Sequence, residues 1–161
     1  MWRAWAFAVL AGLTPLPALA LSCAEYSIRD SYWYRDAQAA SYVLVLGSLS
    51  DLVRTSATGP NGAEVWTARF QGHKASTRAF DQPFEAEVRL VFPDFSLIGG
   101  GYDTAAAAEW LPGQTGLIWL KLTDGGHELT AELCQPLVDT DPASIKPALN
   151  CLAGRWCPKP G

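Results

Sequence analysis

A mainly β fold, a closed barrel of five short strands followed by a helix, is the class this sequence predicts. Three observations carry the expectation. Residues 83–92 alternate strictly, with Phe84, Ala86, Val88, Leu90 and Phe92 on one side and Glu85, Glu87 and Arg89 on the other. That period of two is the mark of a half-buried strand. Four more segments read as strands, and the chain offers little to cover a flat sheet; closure removes the exposed edges that such a sheet would present. Finally, residues 145–152 carry Ile145, Ala148, Leu149 and Leu152 at helical spacing. A small β-sandwich is the alternative, for which five strands are few.

The chain begins with Arg3, an apolar run over residues 4–13 and the segment Pro17-Ala18-Leu19-Ala20. This is the layout of a secretory signal cut after Ala20. A membrane span needs about 20 apolar residues, and Pro15 and Pro17 interrupt this run too early. Residues 1–20 are therefore read as a signal peptide and residues 21–161 as a single disulfide-linked barrel domain, periplasmic or secreted. Ala20-Leu21-Ser22-Cys23 resembles a lipoprotein box weakly, so anchoring to the envelope through a lipid on Cys23 is the alternative address.

About 140 residues remain after such a cut, enough for one core. The formal net charge is −4, and no run of Lys or Arg occurs. That argues against nucleic acid and anionic membrane as partners. A monomer without a transmembrane segment is expected. The four cysteines, Cys23, Cys134, Cys151 and Cys157, form an even set in an exported chain and suggest disulfides. Of three possible pairings, Cys23–Cys134 with Cys151–Cys157 is favoured. No C-x-x-C occurs, and His73 and His127 are far from the cysteines in sequence. Neither a metal site nor a cofactor is expected.

Residues 23–40 are polar and aromatic; residues 28–39 read as a short helix or an irregular arm. Residues 41–49 form the first strand, whose Val43-Leu44-Val45-Leu46 core suits burial on both faces. Gly47 marks a bulge or a close backbone approach. Residues 51–62 read as a polar loop ending in Gly59-Pro60-Asn61-Gly62. Residues 64–73 are the second strand, residues 74–82 a long hairpin connection and residues 83–92 the third strand. Residues 93–116 are irregular, with Asp103 placed to cap one or two helical turns. Residues 117–122 and 128–134 are the last strands, joined by Asp124-Gly125-Gly126. In the terminal helix Ser144 is the expected cap, Pro147 falls in the first turn and Gly154 marks the stop.

With these elements in place the sequence is similar to a known family. A cysteine near the mature N-terminus precedes the strand Ser41-Tyr42-Val43-Leu44-Val45-Leu46-Gly47-Ser48-Leu49. Leu111-Pro112-Gly113-Gln114-Thr115-Gly116-Leu117-Ile118-Trp119-Leu120 follows later, Cys134 closes the last strand, and a helix ends the chain. This order resembles the netrin-like module, the OB-barrel family that includes tissue inhibitors of metalloproteinases, and also small exported bacterial proteins of the same layout. The resemblance implies a five-stranded OB-like barrel; fold alone implies little about function. Those inhibitors bind zinc through an N-terminal cysteine. Here Leu21 and Ser22 precede Cys23 and the C-x-C start is missing, so that mechanism does not carry over.

No nucleophile elbow, P-loop, H-E-x-x-H or dinucleotide fingerprint occurs, so no catalytic residue is assigned. His73 and His127 read as edge or turn residues. Glu85 with Glu87, and Glu128 with Glu132, read as solvated strand faces rather than a glycosidase pair. Asp139 and Asp141 lack the ligand count for calcium and read as a turn. Gly99-Gly100-Gly101 has no phosphate motif or lysine beside it and reads as a loop. The candidate partner-binding residues are Tyr32, Trp33 and Tyr34, which can form a stacking surface or pack the N-terminal arm on the barrel. The reading is a non-catalytic binding or interaction module for a protein or small ligand, acting through these aromatics and the loop over residues 93–116. The alternatives are a lipid-anchored envelope structural protein and a small hydrolase using His73 or His127.

Overall fold

In the computed structural model, residues 25–94 and 103–159 are described. The signal peptide, Cys23 and Gly99-Gly100-Gly101 lie outside the described residues.

The chain runs α1 (Ile28–Asp36), β1 (Tyr42–Thr58), β2 (Glu64–Ala75), β3 (Phe80–Phe92), α2 (Thr104–Trp110), β4 (Thr115–Thr123), β5 (Gly126–Thr130) and α3 (Ile145–Leu152). The strands close into a barrel in the order β1-β2-β3-β5-β4. Only β3 and β5 run parallel; the other neighbours are antiparallel. This is the five-stranded OB-like barrel with a C-terminal helix that the sequence predicts, not a sandwich.

The inward residues of each strand fill the barrel. Val45, Leu49, Phe70, Val88, Leu90, Ile118 and Leu120 are fully buried there, and Ala107 and Leu111 close it from below. A second core lies outside the barrel wall. Leu44, Leu117 and Trp119 on β1 and β4 meet Ile28 of α1 and Ala148 of α3. The continuous apolar run Val43-Leu44-Val45-Leu46 is explained by these two cores, one on each face of β1.

Gly47 marks a close approach. It pairs with Gly72 on β2 and with Gly116 on β4, so glycines stand in a row across three strands. A Cβ at Gly47 would strike the Gln71 carbonyl and the Phe70 ring. The barrel can tighten here only because these side chains are missing.

Several boundaries differ from the expectation. Residues 51–58 are not loop but the second half of β1, still paired to β2 at Arg54↔Trp66 and Thr58↔Glu64. The strand turns through a bulge between Ser50 and Val53, where Asp51 adopts φ 52°, and the polar side chains beyond it face solvent. The long connection over residues 74–82 shrinks to a tight turn over residues 76–79, held by Ser76 Oγ, which accepts from the amides of Arg78 and Ala79. Pro83 thereby falls inside β3. The pairing of β3 with β5 spans only residues 88–91, so Pro83 stands where one strand edge is free and a missing donor is tolerated. β5 stops at Thr130 rather than Cys134, and Cys134 sits in the turn that follows at φ 67°.

The uncertain N-terminal stretch is a helix, α1, with Ser27 accepting from the Arg29 amide at its start. α2 is capped by Asp103 as expected, through the Ala106 amide. At α3 Ser144 stands at the N-cap position as expected, but its side chain makes no capping bond. Asp141 instead caps a preceding helical turn over Pro142–Ser144 that leads into α3. Gly154, at φ 63°, terminates the helix. Cys151 and Cys157 are bonded, as predicted. Cys134 also takes part in a disulfide. None of the described helices is long and apolar enough to cross a membrane.

Candidate functional site

The site is built around Arg35 in the last turn of α1. This side chain is buried, with 8% of its surface exposed. Burying a guanidinium is costly unless its charge and donors are met. Nη2 donates to Glu132 Oε1 at 3.2 Å. Nη1 donates to Gln135 Oε1 at 3.2 Å, to the Ser31 carbonyl at 3.3 Å, and to Ser31 Oγ. The rings of Trp119, Tyr42 and Tyr34 lie 5.4, 5.5 and 5.9 Å from the guanidinium carbon. Those distances allow cation–π attraction, stronger where water is excluded. One residue therefore ties α1 to β1, to β4 and to the turn after β5.

Helical geometry separates Tyr32, Trp33 and Tyr34. Consecutive helix residues point about 100° apart, so the three do not form one surface, although the Tyr32 and Trp33 rings meet edge to face. Tyr32 turns inward, its ring 5.3 Å from Trp33 and 6.4 Å from Trp119. Trp33 lies under the C-terminal tail, with Lys159 Nζ 4.6 Å above its ring. Tyr34 faces solvent, 52% exposed. Trp156 in the tail is 71% exposed and stacks on Arg29, 4.9 Å from ring to guanidinium. The bond between Cys151 and Cys157 fixes this tail beside α1.

A hollow of about 290 Å³ lies between α1, β1 and α3, walled by Tyr32, Tyr42, Trp119 and Leu152, with Gln38 and Asp36 at its rim. Tyr42 donates to Gln38 Oε1 at 2.6 Å. Burial raises the Tyr32 and Tyr42 hydroxyl pKa values, so both stay neutral donors. Deeper in, burial pushes Tyr26 from 10.0 up to about 12, with the Asp139 carboxylate adding to the effect. Asp139 is fixed by two backbone bonds to Leu117 at 2.9 Å and accepts from the Asp141 amide. Asp139 and Asp141 thus shape the turn into α3. Among the described residues no group of three His, Cys, Asp or Glu is placed to hold a metal ion.

The other candidates fall elsewhere. His127 packs its edge on Phe84 at 5.1 Å. His73 stands on β2 opposite Leu46 and Pro83. The structure does not bring the two histidines together, and neither imidazole hydrogen-bonds a described residue. Glu85 accepts from Gln71, and Glu87 stands opposite Arg69. Glu128 and Glu132 do not share a strand face: Glu128 pairs with Arg89, while Glu132 leaves the sheet with the end of β5 and meets Arg35. Sequence reasoning missed Arg35, Tyr42, Trp119, Glu132 and Trp156. The one local signal was the four-residue spacing of Ser31 and Arg35, which places both on the same helix face.

Fold and site together define a mainly β, five-stranded barrel with two helices on one wall and an aromatic surface organised by a buried arginine. Comparison with protein-family models, with curated proteins and with solved structures finds no match.

Tyr26 gives a pH test. Its proton is held more tightly in the folded chain, so its contribution is complete below about pH 10, where the unfolded tyrosine stays protonated, and is lost as pH rises toward 12. Thermal melts should fall over that window, and Tyr26→Phe should flatten part of the fall. Identical profiles for the two proteins would show that the Tyr26 hydroxyl is not buried as described.

Proposed function

We propose that this chain is an exported, non-catalytic binding module of netrin-like layout, which engages a partner through the exposed edge of α1. The carrying observation is Tyr34. It is a large, half-exposed aromatic on a helix that Arg35 locks to the barrel. Aromatic anchors held rigid before binding lose little entropy, and residues of this kind dominate interface energies. Trp110 on α2, 47% exposed within the irregular stretch over residues 93–116, is a second element of the same kind. The outer face of β2 and β3 is the usual ligand face of an OB barrel. Here a hollow of about 460 Å³ on that face carries Asp51, Glu85 and Glu87 against Arg69. Its excess of carboxylates disfavours a phosphate backbone, which supports a partner other than nucleic acid.

Export is supported by the disulfides, which persist in oxidising compartments. Cys134 pairs with Cys23 in this reading, leaving no thiol to acylate.

A photocrosslinking residue at position 34 should give a discrete adduct in the native compartment, and one at the exposed Val53 should not. Tyr34→Ala should cost no more than about 1 kcal/mol of stability, the size of an exposed cation–π contact. A destabilised Tyr34→Ala protein with no discrete adduct would count against the surface. The unreduced, alkylator-treated protein should have a mass that starts at Leu21 and carries no alkyl group. A mass starting at Cys23 with added acyl chains would make it a lipoprotein.

A further inference from the structure

The barrel is closed, but its seam between β1 and β2 opens at one end. The pairing of these strands begins at Val45↔Lys74. Before that point Tyr42, Val43 and Leu44 are paired to β4, at Lys121, Leu120 and Trp119, and to no described residue on the β2 side. Across the gap, Ala75 continues β2 and Ser76 and Thr77 begin the turn to β3. The opening is a cleft of about 500 Å³, lined by both margins together with Gln82 and Leu152.

Three properties of the cleft converge. First, one margin is a strand edge whose outward backbone groups have no ladder partner among the described residues, and an edge of that kind takes up an extended chain. Second, the walls include Leu44, Val43, Tyr42 and Leu152, which give apolar side chains a place to bury. Third, Lys74 stands where the seam closes. It is half-buried and forms no ion pair with a described residue. Arg35, the buried cation of α1, is already neutralised by Glu132. Ser76 Oγ is held by its own turn.

We propose that this cleft captures the C-terminal end of an extended, apolar peptide, which adds a short strand to the edge of β1 and places its free carboxylate on Lys74. A rise of about 3.3 Å per residue lets a segment of about three residues span the unpaired edge. Main-chain bonds supply affinity without selecting sequence, alternate side chains reach the apolar wall, and the lone cation selects a chain end over a chain interior. The site is separate from Tyr34, so it stands or falls without the surface proposed above.

The probe is the tetrapeptide acetyl-Ala-Val-Leu-Val as the free acid, compared with its C-terminal amide and with decanoate below its micelle concentration. Backbone amide shifts of the full mature protein are followed. The acid should shift Val43, Leu44 and residues 74–77, and should bind about tenfold more tightly than the amide, a difference of about 1.4 kcal/mol. Lys74→Gln should abolish the difference between acid and amide, and Lys74→Arg should keep it. Equal binding of acid and amide, shifts scattered over other surfaces, or no shift at millimolar peptide would overturn the proposal. Binding of decanoate without binding of the peptide would overturn the strand-addition part and leave an amphipathic carboxylate site. Crosslinking from position 34 should be unaffected by Lys74→Gln.

Discussion

Burial of the Arg35 guanidinium constrains how α1 sits on the barrel. A charge taken out of water must find a counter-charge and enough acceptors, or the helix that carries it will not dock. Glu132 provides the counter-charge, Ser31 and Gln135 provide acceptors, and Trp119 and Tyr42 provide ring faces. These partners come from α1 itself, from β1, from β4 and from the turn after β5. Nε is left without a partner among the described residues, but meeting the charge and both terminal nitrogens fixes the register of the helix on the barrel wall. The second core under α1 and α3 depends on that docking, as does the direction in which Tyr34 points.

The barrel itself has a different logic. It is closed by alternating apolar residues and tightened where Gly72, Gly47 and Gly116 stand in a row. That part was legible in the sequence. The alternation over residues 83–92 identified β3, and the continuous run of β1 implied two buried faces. Asp124-Gly125-Gly126 placed the hairpin, and the apolar stripe of α3 with its flanking cysteines gave both the helix and the Cys151–Cys157 bond. What failed were decisions set by tertiary pairing. Residues 51–58 are polar because they line the outer, wet side of a curling strand, not because they are loop. The turn after β2 is short because Ser76 holds it with its own hydroxyl.

The aromatic surface was only partly legible, for a geometric reason. Tyr32, Trp33 and Tyr34 are neighbours in sequence, yet a helix sends them to the second core, to the C-terminal tail and to solvent. The residues that organise the region are spread from Ser31 to Gln135 along the chain, and only folding brings them together. The same holds for the seam. Nothing in the order of residues says that β1 runs three residues past its last pairing with β2 and that Lys74 stands at the fork. Tyr42 and Leu152 line both the hollow beside α1 and the cleft at the seam, so one wall serves two surfaces, and Arg35 packs on its Tyr42 ring.

Hydrogen exchange of the α1 amides tests this dependence directly. The account predicts that in the wild-type chain residues 32–36 are protected, and that Glu132→Gln lowers their protection about tenfold or more while the amides at the centres of β1, β2 and β4 keep theirs. Replacing both partners, Arg35→Met with Glu132→Leu, should restore protection, because an apolar pair leaves no charge uncompensated. Unchanged exchange of α1 in Glu132→Gln would contradict the claim that the buried guanidinium holds the helix, and with it the claim that Tyr34 is presented on a rigid support.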